Sequence, residues 1–163
     1  MISHTKIAGL AAIALLAVVQ ASCAASFQRP EPIQVAGIAM EPELKKGDRI
    51  LITNDTTDLK RGDIVTYHYP LDETQSFISR VIGLPNEEIE LREREVFIDG
   101  KLLLETYVAS DNNRALALAN RARLKIPTDR YFVMGDNRDN SNDSRAWGPL
   151  QKRFIYGKFI RKD

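Results

Sequence analysis

Hydrophobic and polar positions divide the chain into two regimes. From Ile7 to Phe27 the sequence IAGLAAIALLAVVQASCAASF runs twenty-one positions with nothing more polar than Gln20, Ser22 and Ser26. At about 1.5 Å per residue, a helix of that length spans roughly the 30 Å hydrocarbon core of a bilayer. Beyond Arg29 the pattern changes to short β-branched runs set between turn formers. Arg29 to Ile33 reads RPEPI, an extended connector, because each proline fixes its own φ and biases its predecessor away from helix.

The following runs predict strands at Arg49 to Thr53, Asp63 to Tyr69 and Ser76 to Gly83, each bounded by Gly, Pro, Asp or Asn. Glu88 to Arg92 and Glu95 to Ile98 continue the pattern, and Asp99-Gly100 predicts a hairpin turn into Lys101 to Leu104. Between Asp111 and Arg123 the Ala, Leu, Asn and Arg content without Pro or Gly predicts a helix or a polar surface insertion. Strands return at Tyr131 to Met134 and Phe154 to Ile160. The expected architecture is mainly β, an antiparallel sheet fold with little helix, preceded by one N-terminal transmembrane helix.

Charge sharpens this picture mainly by exclusion. The 163 residues carry 23 basic and 22 acidic side chains, a net charge of +1, so no electrostatic grip on nucleic acid is expected. Residues 1 to 27 hold no Asp or Glu and one cation, Lys6. A cation before the apolar run favours an inside N-terminus and an exported body, giving a short cytoplasmic segment at 1–6, an anchor at 7–27, a linker at 28–34 and a folded domain at 35–163. The same run also fits a cleavable signal, with small residues at Ala21, Ser22 and Ala24, or a lipoprotein signal with Cys23 as the lipidated residue. One cysteine excludes an intrachain disulfide, and with only His4 and His68 neither a metal centre nor any other cofactor is expected.

Four segments carry a more specific message. They are VAGIAMEPEL at Val35 to Leu44, RGDIVTYHYP at Arg61 to Pro70, FISRVIGLPNE at Phe77 to Glu87 and GDNRDNSNDSRAWGPL at Gly135 to Leu150. In that order they closely resemble the signature boxes of bacterial type I signal peptidases, serine endopeptidases that remove signal peptides from exported preproteins. The resemblance covers essentially the whole body and implies a signal-peptidase-like fold with a membrane anchor. It also implies a serine-lysine dyad, a variant of the nucleophile-plus-base arrangement.

Both dyad positions depart from the family. The serine expected directly before Met-x-Pro is Ala39, and the lysine expected directly before Arg80 is Ser79. A methyl group cannot attack a carbonyl, and a hydroxyl is far too weak a base near neutral pH to stand in for a desolvated lysine. Losing such a unit costs on the order of 10⁶ in rate in a comparable hydrolase, or about 8 kcal/mol of barrier. Around the gap the boxes persist. Ser141 matches the serine that orients the lysine, and Asp143 with Arg145 matches a charged pair bracing the loop. Gly135, Asp136, Asn137 and Arg138 form its turn, Pro42 keeps the box shape after the dyad position, and Glu43 replaces the usual threonine. The backbone N–H of Ala39 remains a candidate oxyanion donor. Without the lysine, Ser141 is expected to be a turn hydroxyl bonded to backbone, and Trp147 a packing anchor.

The resemblance further places an extended peptide against Gln34, Val35, Ala36, Gly37, Ile38 and Met40 on one side and Ser76, Phe77 and Ile78 on the other. The leading expectation is a catalytically inactive, membrane-anchored relative that binds signal peptides. An active peptidase with a relocated nucleophile, drawing on Ser76, Ser79 and His68 or on Glu41 or Glu43, is one alternative. A scaffold for an active signal peptidase or an envelope protein is another. The expected partners are the lipid bilayer at 7–27 and exported preproteins, with an exported or Cys23-anchored location as the alternative to a single-pass one.

Overall fold

The structure is a computed structural model that describes residues 29–109, 111 and 121–163. The expected anchor at 7–27, with Cys23, and most of the expected helix or insertion lie outside the described residues. Among the described residues no helix is long and apolar enough to cross a membrane.

Eleven strands form two antiparallel sheets. β1 (Glu31–Gln34), β2 (Arg49–Thr53), β3 (Ile64–Tyr69), β4 (Asp72–Gly83), β9 (Arg130–Met134), β10 (Leu150–Gln151) and β11 (Ile155–Lys162) build the larger, in the order β1-β2-β11-β3-β4-β9-β10. β5 (Glu88–Arg92), β6 (Glu95–Ile98), β7 (Lys101–Leu102) and β8 (Arg121–Lys125) build the smaller, in the order β7-β6-β5-β8. The only α-helix among the described residues is α1 (Ser144–Trp147).

Side-chain alternation explains why the larger sheet is covered on both faces. Along β3, Val65 and Tyr67 join a cluster with Val81, Val133 and Leu150, while Ile64 points the other way into a cluster with Val35, Met40, Leu44, Ile50 and Ile52. Along β9, Tyr131 and Val133 face the first cluster, whereas Phe132 and Met134 join Ile82, Ile89, Leu91 and Val96 between the two sheets. Strands buried on both faces read as continuous apolar runs, and IVTY and YFVM do so. Each fully buried large side chain contributes about 1.5–3 kcal/mol relative to exposure.

Several expected elements are corrected. The stretch read as a connector contains β1, whose Pro32 sits opposite Leu51 on the outermost strand, an edge position where a missing N–H does no harm. Arg121 to Arg123, expected within a helix or insertion, open β8, because Leu124 reaches the inter-sheet core while Arg123 pairs outward with Glu88 and Glu90. The strand expected from Ser76 begins at Asp72, and Lys101 to Leu104 shortens to Lys101–Leu102. Phe154 ends a 3-10 turn, Lys152–Phe154, before β11 starts. The hairpin expected at Asp99-Gly100 is present, with positive φ of 49° and 75° as its tight turn requires.

Candidate functional site

Beyond β1 the chain leaves the sheet edge and turns back over it. Val35 N–H donates to the Asp48 carbonyl at 2.8 Å, and Met40 and Leu44 drop into the core beneath. Val35 to Ala39 thereby form one wall of a cleft of about 500 Å³. Opposite runs β4. That strand pairs with β3 from Asp72 to Arg80, but β9 joins it only from Arg80 onward, so its other edge over Ser76 to Ser79 has no strand neighbour among the described residues. The loop after β9 closes the end with Asn140, Ser141 and Asn142, and Thr66 and Tyr156 complete the lining.

Most residues singled out from the sequence meet here. Gln34 to Ala39, Ser76 to Ser79 and Ser141 all line the cleft. Met40 does not: it is 1% exposed and packs with Ile50 and Ile52, because the Glu41-Pro42 turn directs it inward. Ile33, Thr66, Asn140, Asn142 and Tyr156 belong to the lining and were not anticipated. Thr66 and Tyr156 come from β3 and β11, whose pairing no local pattern reveals.

The loop from Gly135 is held by charge. Asp143 accepts from the Gly135 N–H at 3.0 Å, caps α1 through the Arg145 N–H and binds the Arg145 guanidinium at 2.8 Å. Arg138, with no side-chain exposure, donates twice to Glu105 at 2.9 and 2.6 Å and also to the Gly135 carbonyl. Asp136 takes two bonds from Arg80 at 2.8 and 2.6 Å, and the Arg80 guanidinium lies over the Tyr107 ring. Burial raises the Asp136 carboxyl pKa, with Arg80 pulling the other way. Burial works to lower the Arg80 pKa, but Asp136 outweighs it and the net shift is upward, so the guanidinium stays charged. Asn137 ties the loop to the opposite wall, its backbone N–H donating to the Ala39 carbonyl at 3.0 Å and its side-chain amide to the Ile38 carbonyl at 3.3 Å.

Gly135 is the point of closest approach. A Cβ there would lie 2.4 Å from Ser141 Oγ and 2.5 Å from the Ala39 carbonyl oxygen, so only glycine leaves room for both groups. Ser79, 1% exposed, shares a 3.0 Å hydrogen bond with the Tyr67 hydroxyl. Burial pushes the Tyr67 phenol pKa well up, Ser79 opposes this weakly and Asp143 adds to it, so both hydroxyls are neutral. Ser141 does not bond to backbone as expected. Its Oγ and the Thr66 Oγ1 are buried and have no hydrogen-bond partner among the described residues; in the Ser141 loop the N–H groups of Gly135, Asn137 and Asn140 are already committed to Asp143 and to the carbonyls of Ala39 and Asn137. Among the described residues no Asp, Glu, Lys, Arg or His lines the cleft. The arrangement offers an extended peptide a strand edge and apolar contacts, with the Tyr156 phenol and the hydroxyls of Thr66, Ser76, Ser79 and Ser141 as its polar side chains besides Gln34, Asn140 and Asn142.

His68 and Ser76 are cross-strand partners, and the exposed His68 ring lies tilted by 38° against Tyr156 at 4.8 Å between centroids. Glu43 is exposed. Trp147 packs against Tyr67 and Tyr69 at 6.0 and 6.3 Å.

Comparison with known proteins matches this geometry to a family. Residues 5–161 match the family model described as "Signal peptidase, peptidase S26". Signal peptidase I P of Bacillus subtilis subsp. natto is 38% identical over 78% of this chain and 73% of its own length. Signal peptidase I of Bacillus amyloliquefaciens is 36% identical over 79% and 74%. Probable signal peptidase I-2 of Synechocystis is 36% identical over 76% of this chain, which spans 58% of that longer relative. A crystal structure of a signal peptidase I from Enterococcus faecalis superposes with a TM-score of 0.53 at 31% identity, covering 64% of this chain and 98% of that one. With the match running through all four boxes and both sheets, the chain belongs to the signal peptidase family, peptidase S26.

Proposed function

We propose that this chain is a catalytically inactive member of its family that binds signal peptides of exported proteins without cutting them. On this reading residues 7–27 anchor it in the membrane and the body at 35–163 lies outside the cytoplasm. The single observation that carries the reading is the pairing of an open, uncharged cleft with a floor made of Ala39 and Ser79. An extended peptide can add to the free edge of β4 over Ser76 to Ser79, the strand-addition mode in which main-chain bonds give affinity and side-chain pockets give specificity. Ala39 supplies no nucleophile, and Ser79 is engaged by the neutral Tyr67 phenol.

The test uses the full chain in detergent with a preprotein substrate and a labelled signal peptide. Binding without mature product is expected. The double reversion Ala39→Ser with Ser79→Lys is expected to gain cleavage, because Gly135, Ser141 and the Asp143–Arg145 brace are in place. Mature product from the unaltered chain, persisting after host peptidase is removed, overturns the proposal.

A further inference from the structure

The floor of the cleft holds hydroxyl groups with spare hydrogen-bonding capacity and no charge. Ser141 Oγ is buried beside Gly135, 2.4 Å from where a Cβ there would stand, and it lacks a partner among the described residues. Thr66 Oγ1, on a residue 2% exposed, lacks one too among the described residues. Ser79 beside them turns its hydroxyl to Tyr67 and is short, so it fills little of the floor. A buried hydroxyl without a partner is unfavourable, and a ligand offering a donor or acceptor at that point relieves it. A ligand charge would meet no counter-ion, since the lining contains no ionisable acid or base other than Tyr156, and burying an unpaired charge is strongly unfavourable.

From this we infer that the cleft selects, at the peptide position lying over Ala39, an uncharged side chain that carries its own hydrogen-bonding group. A carboxamide suits it best, because its NH₂ donates to Ser141 Oγ and its carbonyl accepts from a second hydroxyl. A lone alanine would leave the floor hydroxyls unmet, and a glutamate or lysine would bring charge into an uncharged recess. The inference rests on the peptide-binding reading and adds to it a side-chain class at one position. That class differs from the small residues which family resemblance alone implies.

The experiment measures fluorescence polarisation of labelled, otherwise apolar heptapeptides binding to the full chain in detergent. Each peptide position in turn carries Ala, Gln or Glu. At one position, and not at the others, Gln is expected to bind roughly threefold to tenfold more tightly than Ala, the range one or two net hydrogen bonds give. Glu at that position is expected to bind more weakly than Ala. Ser141→Ala is expected to bring the Gln-to-Ala ratio at that position toward one. So is Ser79→Lys, which fills the recess from within. Retention of fold in both variants is checked by near-UV circular dichroism, and Ser141→Cys serves as a size-matched replacement should the alanine variant unfold. Equal affinity for Gln and Ala at every position, with the peptides still bound, overturns the inference and leaves the peptide-binding reading standing. Glu binding as tightly as Gln, or a Gln preference that survives the loss of Ser141, also overturns it. No binding by any peptide overturns both.

Discussion

Replacing Gly135 by alanine inserts one methyl group at the tightest point of the site. The new Cβ would stand 2.4 Å from Ser141 Oγ, 2.5 Å from the Ala39 carbonyl oxygen and 2.6 Å from Ser141 Cβ. Favourable contacts between such atoms lie near 3.5–4.0 Å, so the neighbours must retreat by about 1 Å. Rotating the Ser141 side chain does not suffice, because its Cβ is itself too close. The Ala39 carbonyl is fixed by the Asn137 N–H at 3.0 Å, so relief requires movement of two backbone segments. Overpacking of this kind costs about 1–3 kcal/mol, and with two backbone neighbours involved we expect about 3 kcal/mol. In a chain of 163 residues that lowers Tm by roughly 6–12 °C. The assay is thermal unfolding in detergent followed through the single tryptophan, Trp147, which packs on Tyr67. Peptide affinity should fall as well, since Ala39 and Ser141 are the groups displaced. Gly37→Ala is the control: nothing lies within 4 Å of its Cβ position, and its stability should stay within about 0.5 kcal/mol of the parent. A Gly135→Ala variant as stable as the Gly37→Ala variant would refute the reasoning.

Three further outcomes follow from the same geometry. Tyr67→Phe leaves the buried Ser79 hydroxyl without its 3.0 Å partner and should lower stability by about 1–3 kcal/mol in urea titration, while adding Ser79→Ala should recover much of that loss. Arg138→Met leaves the Glu105 carboxylate, whose side chain is 10% exposed, without its cation and with the Tyr107 hydroxyl as its remaining donor, and should cost about 3 kcal/mol; the double variant with Glu105→Gln should be milder. At alkaline pH, Tyr67 and Tyr107 are held above their ordinary value of 10.0, mainly by burial. A raised pKa keeps the folded phenol neutral while the unfolded one ionises, so the stability is intact below pH 10 and lost as pH rises beyond it. Each phenol contributes a slope of at most about 1.4 kcal/mol per pH unit, and Tyr67→Phe should flatten the measured slope by that share.

How much of this the sequence reveals depends on distance along the chain. β2, β3, β5, β6 and β9 stand out because their apolar runs are bounded by Gly, Asp or Pro within a few residues. β1 is concealed by Pro30 and Pro32, which argue against a strand except at an edge, and only the finished sheet order identifies the edge. β8 is concealed by the helix-favouring residues before it, and its Arg-Ala-Arg-Leu-Lys alternation makes sense only once Leu124 has an inter-sheet core to enter. The cleft walls are contiguous segments and are legible; Thr66 and Tyr156 reach the cleft through the Thr66–Gly157 register of β3 with β11, which pairs positions more than half the chain apart. The orphaned Ser141 hydroxyl is equally invisible in the sequence, since it depends on which neighbouring donors are already spent.

β1 also has a mechanical consequence. The chain entering at residue 29 is zipped to β2 through four successive antiparallel residue pairs, Glu31 to Gln34, then clamped at Val35 by bonds to Asp48 and Gly47 at 2.8 Å, before it reaches Ala36 to Ala39. Tension applied along the N-terminal segment therefore loads those bonds side by side, in shear, instead of peeling them one at a time. The edge strand therefore acts as a strain relief for Ala36 to Ala39, because the β1–β2 pairs and the Val35 clamp must yield before a pull from the N-terminal side reaches that stretch.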